Sequence, residues 1–218
     1  MNEQNAARQM MVSGQIMPNN VSDEVILNAL NAVPRENFLP KSLRSVAYID
    51  CAVEIADGRY VMDPLVLARL MLMADVGSKD LVLVVGGASG YEAAVLAQCA
   101  DAVVCLEQDE SLIERSTADL ISFGADNVAV VEGELAQGVK GQGPFDVIFI
   151  NGAVEQVPNA LLEQLADGGR LVCILNDVGI SHGHIIEKQG KELVAHNVFE
   201  TEAVVLPGFE RAQGFVFP

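Results

Sequence analysis

Positive charge is scarce in this chain of 218 residues: 13 lysines and arginines face 30 aspartates and glutamates, a formal net charge of −17. Nucleic-acid affinity comes largely from basic side chains that release counterions from phosphates. The balance therefore argues against DNA, RNA or an anionic membrane surface as a partner. Cysteine is sparse and scattered. Cys51, Cys99, Cys105 and Cys173 show no CxxC spacing, and three of them sit among apolar neighbours, as buried structural thiols do. Long apolar runs are missing too. Leu65 to Ala74 is interrupted by Arg69 and reaches about half of the ~20 residues that a membrane span needs. The stretch Met1 to Met10 is polar and lacks the order of a secretory signal. With 20% charged and 50% apolar residues the composition is that of a folded chain rather than a disordered one. The expectation is a soluble, cytoplasmic domain.

What is present changes character along the chain. Ser22 reads as an N-cap followed by acid at Asp23 and Glu24, and Val25, Ile26, Ala29, Leu30 and Val33 repeat at helical spacing up to Pro34. Prolines bound a loop from Val33 to Pro40. Asp63-Pro64 reads as a second helix start, the acid capping and the proline at the first helical position. From Leu81 the pattern becomes strand, turn and helix in alternation. Leu81–Val85 is a continuous aliphatic run, Gly86–Gly90 a glycine-rich turn, Tyr91 to about Ala100 a helix, and Val103–Glu107 a second strand. Further strands are expected at Val128–Val131, Asp146–Ile150 and Arg170–Leu175, with a helix over Pro158–Leu165. Such alternation predicts an α/β fold with a doubly wound, mostly parallel sheet. The stretches Gly183–Glu187, Leu193–Phe199 and Gln213–Phe217 read as an antiparallel edge.

The strongest chemical signal joins the first strand, its glycine turn and the acid that closes the second strand. Glycines let backbone approach a ligand, a helix N-terminus favours polar or negative groups, and an acid can hold ribose hydroxyls. Glu107 follows Gly86 at the ~20-residue spacing of nucleoside-binding sheets. The turn reads Gly86-Gly87-Ala88-Ser89-Gly90, which departs from the GxGxxG of dinucleotide sites, so a nicotinamide enzyme is the weaker alternative. His182 and His184 would share one strand face without a third ligand at metal spacing, and Glu132 and Glu134 read as a solvated strand end; no metal site is expected.

The chain resembles the protein-L-isoaspartate O-methyltransferases, on the class I S-adenosylmethionine-dependent fold. The likeness is carried by Met11-Val12-Ser13-Gly14-Gln15-Ile16, Val33-Pro34-Arg35-Glu36-Asn37-Phe38-Leu39-Pro40, Ala47-Tyr48-Ile49-Asp50, Ser89-Gly90-Tyr91-Glu92-Ala93-Ala94, Val157 to Leu165 and Gly168-Gly169-Arg170-Leu171-Val172. The resemblance implies a seven-stranded, Rossmann-like sheet in one domain, with an N-terminal helical and substrate-loop region over 1–79 and a nucleoside-binding sheet over 80–218. It implies S-adenosylmethionine or S-adenosylhomocysteine as cofactor, held through Val84, Gly86, Gly87, Ala88, Ser89, Gly90, Glu107, Gln108, Gly133, Glu134 and Asn151. It also implies a protein or peptide substrate bearing isoaspartate, methylated in protein repair, by a monomer or homodimer. An ionised carboxylate attacking a sulfonium in line needs positioning and exclusion of water rather than a general base.

Two departures stand against that likeness. The family usually has an acid where this chain has Val84 and a glycine where it has Ala88. Its substrate loop reads roughly Gly-Gln-Thr-Ile-Ser-Gln-Pro, whereas here the residues are Gly58-Arg59-Tyr60-Val61-Met62-Asp63-Pro64. Tyr60, Met62 and Asp63 thus replace the family's substrate-binding side chains, and both small hydroxyls are gone. Weak cofactor binding and slow or absent isoaspartyl methylation are expected. The alternative is a degenerate, non-catalytic member that acts as a cofactor-binding or protein-interaction module.

Overall fold

The computed structural model describes residues 3–177 and 179–211. Helix α1 (Glu3–Met11) leads through irregular helical turns to α2 (Glu24–Ala32). The cap of α2 is Asp23 rather than Ser22. Its Oδ1 accepts the amides of Val25 and Ile26, and an ionised carboxylate at a helix N-terminus is the better partner for the dipole. The proline-bounded loop carries a short 3₁₀ turn, Arg35–Phe38. Phe38 is buried and meets the rings of Tyr91 and Phe123 edge-on, each at 5.9 Å between centroids.

A two-stranded hairpin of β1 (Val53–Ala56) and β2 (Arg59–Val61) follows. Sequence reading treats this region as helical and irregular, because strands of four and three residues are too short for alternation to be seen. Then comes α3 (Pro64–Ala74), capped as expected by Asp63, whose Oδ1 accepts from the amides of Leu65 and Val66.

The main sheet contains β3 (Leu81–Val85), β4 (Ala102–Glu107), β5 (Val128–Glu132), β6 (Phe145–Val154), β7 (Leu165–Asp177), β8 (Ile180–Gln189) and β9 (Glu192–Thr201). Their order is β5-β4-β3-β6-β7-β8-β9. The first five are parallel neighbours, and β7-β8-β9 is an antiparallel edge, as the last forty residues suggest. The expected stretch Gln213–Phe217 lies outside the described residues. Helices α4 (Tyr91–Leu96) and α5 (Glu110–Phe123) cross between parallel strands, and α6 (Asn159–Leu162) precedes β7. Both α4 and α6 are shorter than their sequence patterns predict.

Side chains alternate across a strand, and here both faces are covered. Val82 and Val84 of β3 enter the apolar cluster built with α2, α3 and α4. Leu83 and Val85 enter a second cluster on the opposite face, with Leu106, Phe145, Ile148, Ile150 and Leu161. This explains why β3 is apolar without interruption. Register pairs Val85 with Leu106 and with Ile150, so the C-terminal ends of β3, β4 and β6 converge on one rim, with Glu107 on it. Among the described residues no helix is long and apolar enough to cross a membrane.

Candidate cofactor and substrate site

Three strand ends build the site. After β3 the chain turns at Gly86, with φ at +80°, and enters α4 at Gly90, with φ at +82°. Between them Ala88 also adopts a left-handed backbone, with φ at +46°, which costs a residue bearing a Cβ roughly 1–2 kcal/mol. Gly87 is needed for packing: a Cβ there would lie 2.2 Å from Cys105 Sγ. Within β6, one residue past its last pairing with β3, Asn151 is buried, and its Nδ2 donates to the Gly86 carbonyl at 3.1 Å. Glu107 ends β4 fully buried, beside the turn. Strand, turn and terminal acid are thus brought together as their order in the chain predicts.

Glu107 is held from a distant part of the chain. Arg59 of β2 forks onto its carboxylate, Nη1 donating to Oε1 at 2.6 Å and Nη2 donating to Oε2 at 2.5 Å. The two side chains are 5% and 0% exposed. Glu107 Oε2 also accepts from the amide of Ala88, and Oε1 from those of Gln108 and Asp109. Five donors therefore converge on a group with about four lone-pair sites, and the carboxylate is saturated. Leu206 closes the neighbouring space. The segment after β9 runs beside the end of β6, with Leu206 N donating to the Ala153 carbonyl and Ala153 N donating to that of Val204. Its side chain presses on Gly86 and on Gly152, where added Cβ atoms would meet it at 3.2 and 2.6 Å.

On the other side of Leu206 lies a cavity of about 560 Å³ lined by Tyr60, Met62, Asp63, Val66, Asn151 and Glu202, among others. The three substituted loop residues therefore do share one chamber. Asp63 brings its charge into that chamber while capping α3. A second buried pair clamps the loop from behind. Arg35 Nη2 donates to the Met62 carbonyl at 2.6 Å, and the Met62 amide donates to Glu92 Oε1 at 2.9 Å. The remaining expected residues are spread more widely. Ser89 is buried, and its Oγ accepts the Tyr91 amide. Gln108 and Glu134 are exposed on the rim, and Gly133 donates its amide to the Glu107 carbonyl. Val84 lies within the apolar cluster rather than on the rim. His184, half of the histidine pair on β8, meets Asn197 at 2.6 Å. Sequence reasoning misses Arg59, Leu206 and the Arg35–Glu92 clamp. The one signal in reach is Arg59 itself, a cation where the family loop has glutamine.

Burial pushes the Glu92 carboxyl above its ordinary value of 4.5, with the Arg35 guanidinium opposing. Its Oε2 is buried without a partner. A raised carboxyl pKa means that the folded chain keeps a proton which the unfolded chain has already released. Stability then falls as pH rises from the ordinary glutamate range through the raised value. Glu92→Gln keeps an acceptor for the Met62 amide and removes the titration. Urea unfolding is expected to show the variant gaining on the natural chain as pH is raised from 4.5 to 8. A constant difference between the two would contradict this.

Comparisons with known proteins agree with the geometry. The family model described as protein-L-isoaspartate (D-aspartate) O-methyltransferase matches residues 6–209. A protein-L-isoaspartate O-methyltransferase of Koribacter versatilis is 32% identical over 92% of this chain and 90% of its own length. One from Methanoculleus marisnigri is 36% identical over 76% and 75%. A solved protein-L-isoaspartate O-methyltransferase superposes with a TM-score of 0.80 at 26% identity, covering 94% of this chain and 66% of that one. A Plasmodium falciparum structure described as the same enzyme, in complex with S-adenosyl-L-homocysteine, has a TM-score of 0.76 at 19% identity, covering 94% and 99%. S-adenosyl-L-homocysteine is the ligand of that Plasmodium falciparum structure, and the fold family implies such a nucleoside for the strand-end cleft. The backbone of that cleft fits it, but the side chains as arranged do not: ribose hydroxyls find no acceptor left on Glu107, and Leu206 lies on the glycine turn. Fold, match and relatives agree that this chain belongs to the protein-L-isoaspartate O-methyltransferase family, on the class I S-adenosylmethionine-dependent fold.

Proposed function

We propose that the chain is a closed member of its family: it carries the scaffold for methyl transfer from S-adenosylmethionine to isoaspartyl carboxylates of damaged proteins, and as its sequence stands it performs that reaction very slowly or not at all. The observation that carries this reading is the chamber at the substrate loop, into which Asp63 brings a negative charge. An acceptor carboxylate must dock there. Two like charges ~4 Å apart cost about 4 kcal/mol at an effective dielectric near 20. Met62 offers sulfur in place of a hydroxyl donor, and the ring of Tyr60 fills part of the space. Of the two non-catalytic roles, a protein-interaction module is favoured over a cofactor-binding one by a different observation, the saturated Glu107, which leaves a ribose no acceptor. The test is transfer of labelled methyl groups from S-adenosylmethionine to an isoaspartyl peptide. Incorporation close to the no-protein control is expected, and robust turnover would overturn the reading.

A further inference from the structure

We infer that Arg59 is the specificity-determining residue of the nucleoside cleft: its guanidinium stands in for the ribose on Glu107, and a cofactor enters only when Arg59 withdraws. The inference rests on reading the strand-end cleft as the cofactor site, and it adds what governs admission there.

A buried ion pair can be purely structural, so the local geometry has to decide. The pairing spans 48 residues of sequence, from a hairpin strand to the sheet rim. It falls on the acid whose position beside the glycine turn suits ribose hydroxyls. Arg59 lies close to the turn as well, since a Cβ on Gly86 would be 3.4 Å from its Nη2. A neutral ribose hydroxyl competes poorly with a two-pronged, charge-assisted contact, because displacing the cation leaves a buried carboxylate without its counter-charge. Without the guanidinium three backbone amides remain on the carboxylate, two on Oε1 and one on Oε2, so a neutral glutamine here frees one acceptor site on Oε2 for a ribose hydroxyl. The pair is also imperfect as a structural bolt, since Arg59 Nε is buried without a partner. The strand carrying Arg59 belongs to a two-stranded ribbon of four and three residues, outside the seven-stranded sheet. Val53 and Val61 of that ribbon are buried in the core and Arg35 holds the Val61 and Met62 carbonyls, so it is the Arg59 side chain, not the ribbon, that withdraws.

Calorimetric titration of the natural chain, Arg59→Gln, Arg59→Lys and Leu206→Ala with S-adenosylhomocysteine tests this. Circular dichroism and a thermal midpoint establish that each variant is folded. Arg59→Gln is expected to bind at least tenfold more tightly than the natural chain. Arg59→Lys, which keeps the cation, and Leu206→Ala, which widens the turn but leaves the pair intact, are expected to stay within about threefold of it. Equal affinity in the natural chain and Arg59→Gln, including no binding by either, overturns the inference, as does a gain confined to Leu206→Ala. An Arg59→Gln protein that gains the ligand yet methylates no peptide upholds the inference and counts against the methyl-transfer reading alone.

Discussion

Glu107→Ala is expected to destabilise the protein by roughly 3–5 kcal/mol, the range for removing one partner of a buried ion pair. The loss arises on both sides of the contact. Arg59 keeps a buried guanidinium with no counter-charge, and the amides of Ala88, Gln108 and Asp109 lose their acceptor. The Ala88 donor is buried and its orphaning is itself expensive, whereas Gln108 and Asp109 are exposed and their amides can turn to water. For a chain of this length the change corresponds to a fall of about 6–20 °C in thermal midpoint. Glu107→Gln keeps one acceptor oxygen and should lose less. Pairing Arg59→Met with Glu107→Met should recover part of the loss, because it removes the isolated charge, but the buried Ala88 amide remains unpaired. A urea-unfolding cycle checks this. A Glu107→Ala loss below about 1 kcal/mol would mean that the pair is solvated and that the rim is not closed as described.

The second large effect is on activity. Tyr60→Thr, Met62→Ser and Asp63→Gln, made together with Arg59→Gln, are expected to raise methyl transfer to an isoaspartyl peptide by at least tenfold. The ceiling is about a thousandfold, set by relief of the ~4 kcal/mol like-charge term. The two parts of the variant should separate kinetically. Loop changes act where the peptide docks and should lower its KM, whereas Arg59→Gln should lower the KM for S-adenosylmethionine. Asp63→Gln also weakens the cap of α3, with a stability loss of about 1 kcal/mol. A variant as inactive as the natural chain would show that the loop does not limit the reaction. Reverting Val84 is a poorer test, because its side chain sits in the apolar cluster, where a glutamate would bury a charge.

Much of this site is legible in the chain because it depends on local order. The aliphatic run Leu81–Val85, the glycines after it and Glu107 at the end of the next strand follow from strand burial, turn chemistry and spacing, and the structure places them as expected. The Asp63-Pro64 helix start is local in the same way. What is not legible depends on distance. Arg59 looks like one more surface cation in an acidic chain until folding brings it to Glu107, 48 residues on. Leu206 gives no periodic signal, since its segment joins the rim through a single parallel bridge and two amide contacts to Ala153. The Arg35–Glu92 clamp hides for a further reason: charged residues are rarely buried, and nothing local in the sequence marks these two as exceptions. Departures at Tyr60, Met62 and Asp63 can be named from sequence, but their convergence on one chamber appears only in three dimensions.

The central claim, that the chain's own arginine closes the nucleoside cleft, is tested most directly by a crystal structure of the natural protein grown with one equivalent of S-adenosylhomocysteine. The expected result is the Arg59–Glu107 fork intact, Leu206 against Gly86 and Gly152, and no nucleoside on the rim. A nucleoside seated on the rim with the Arg59–Glu107 fork still intact would contradict it.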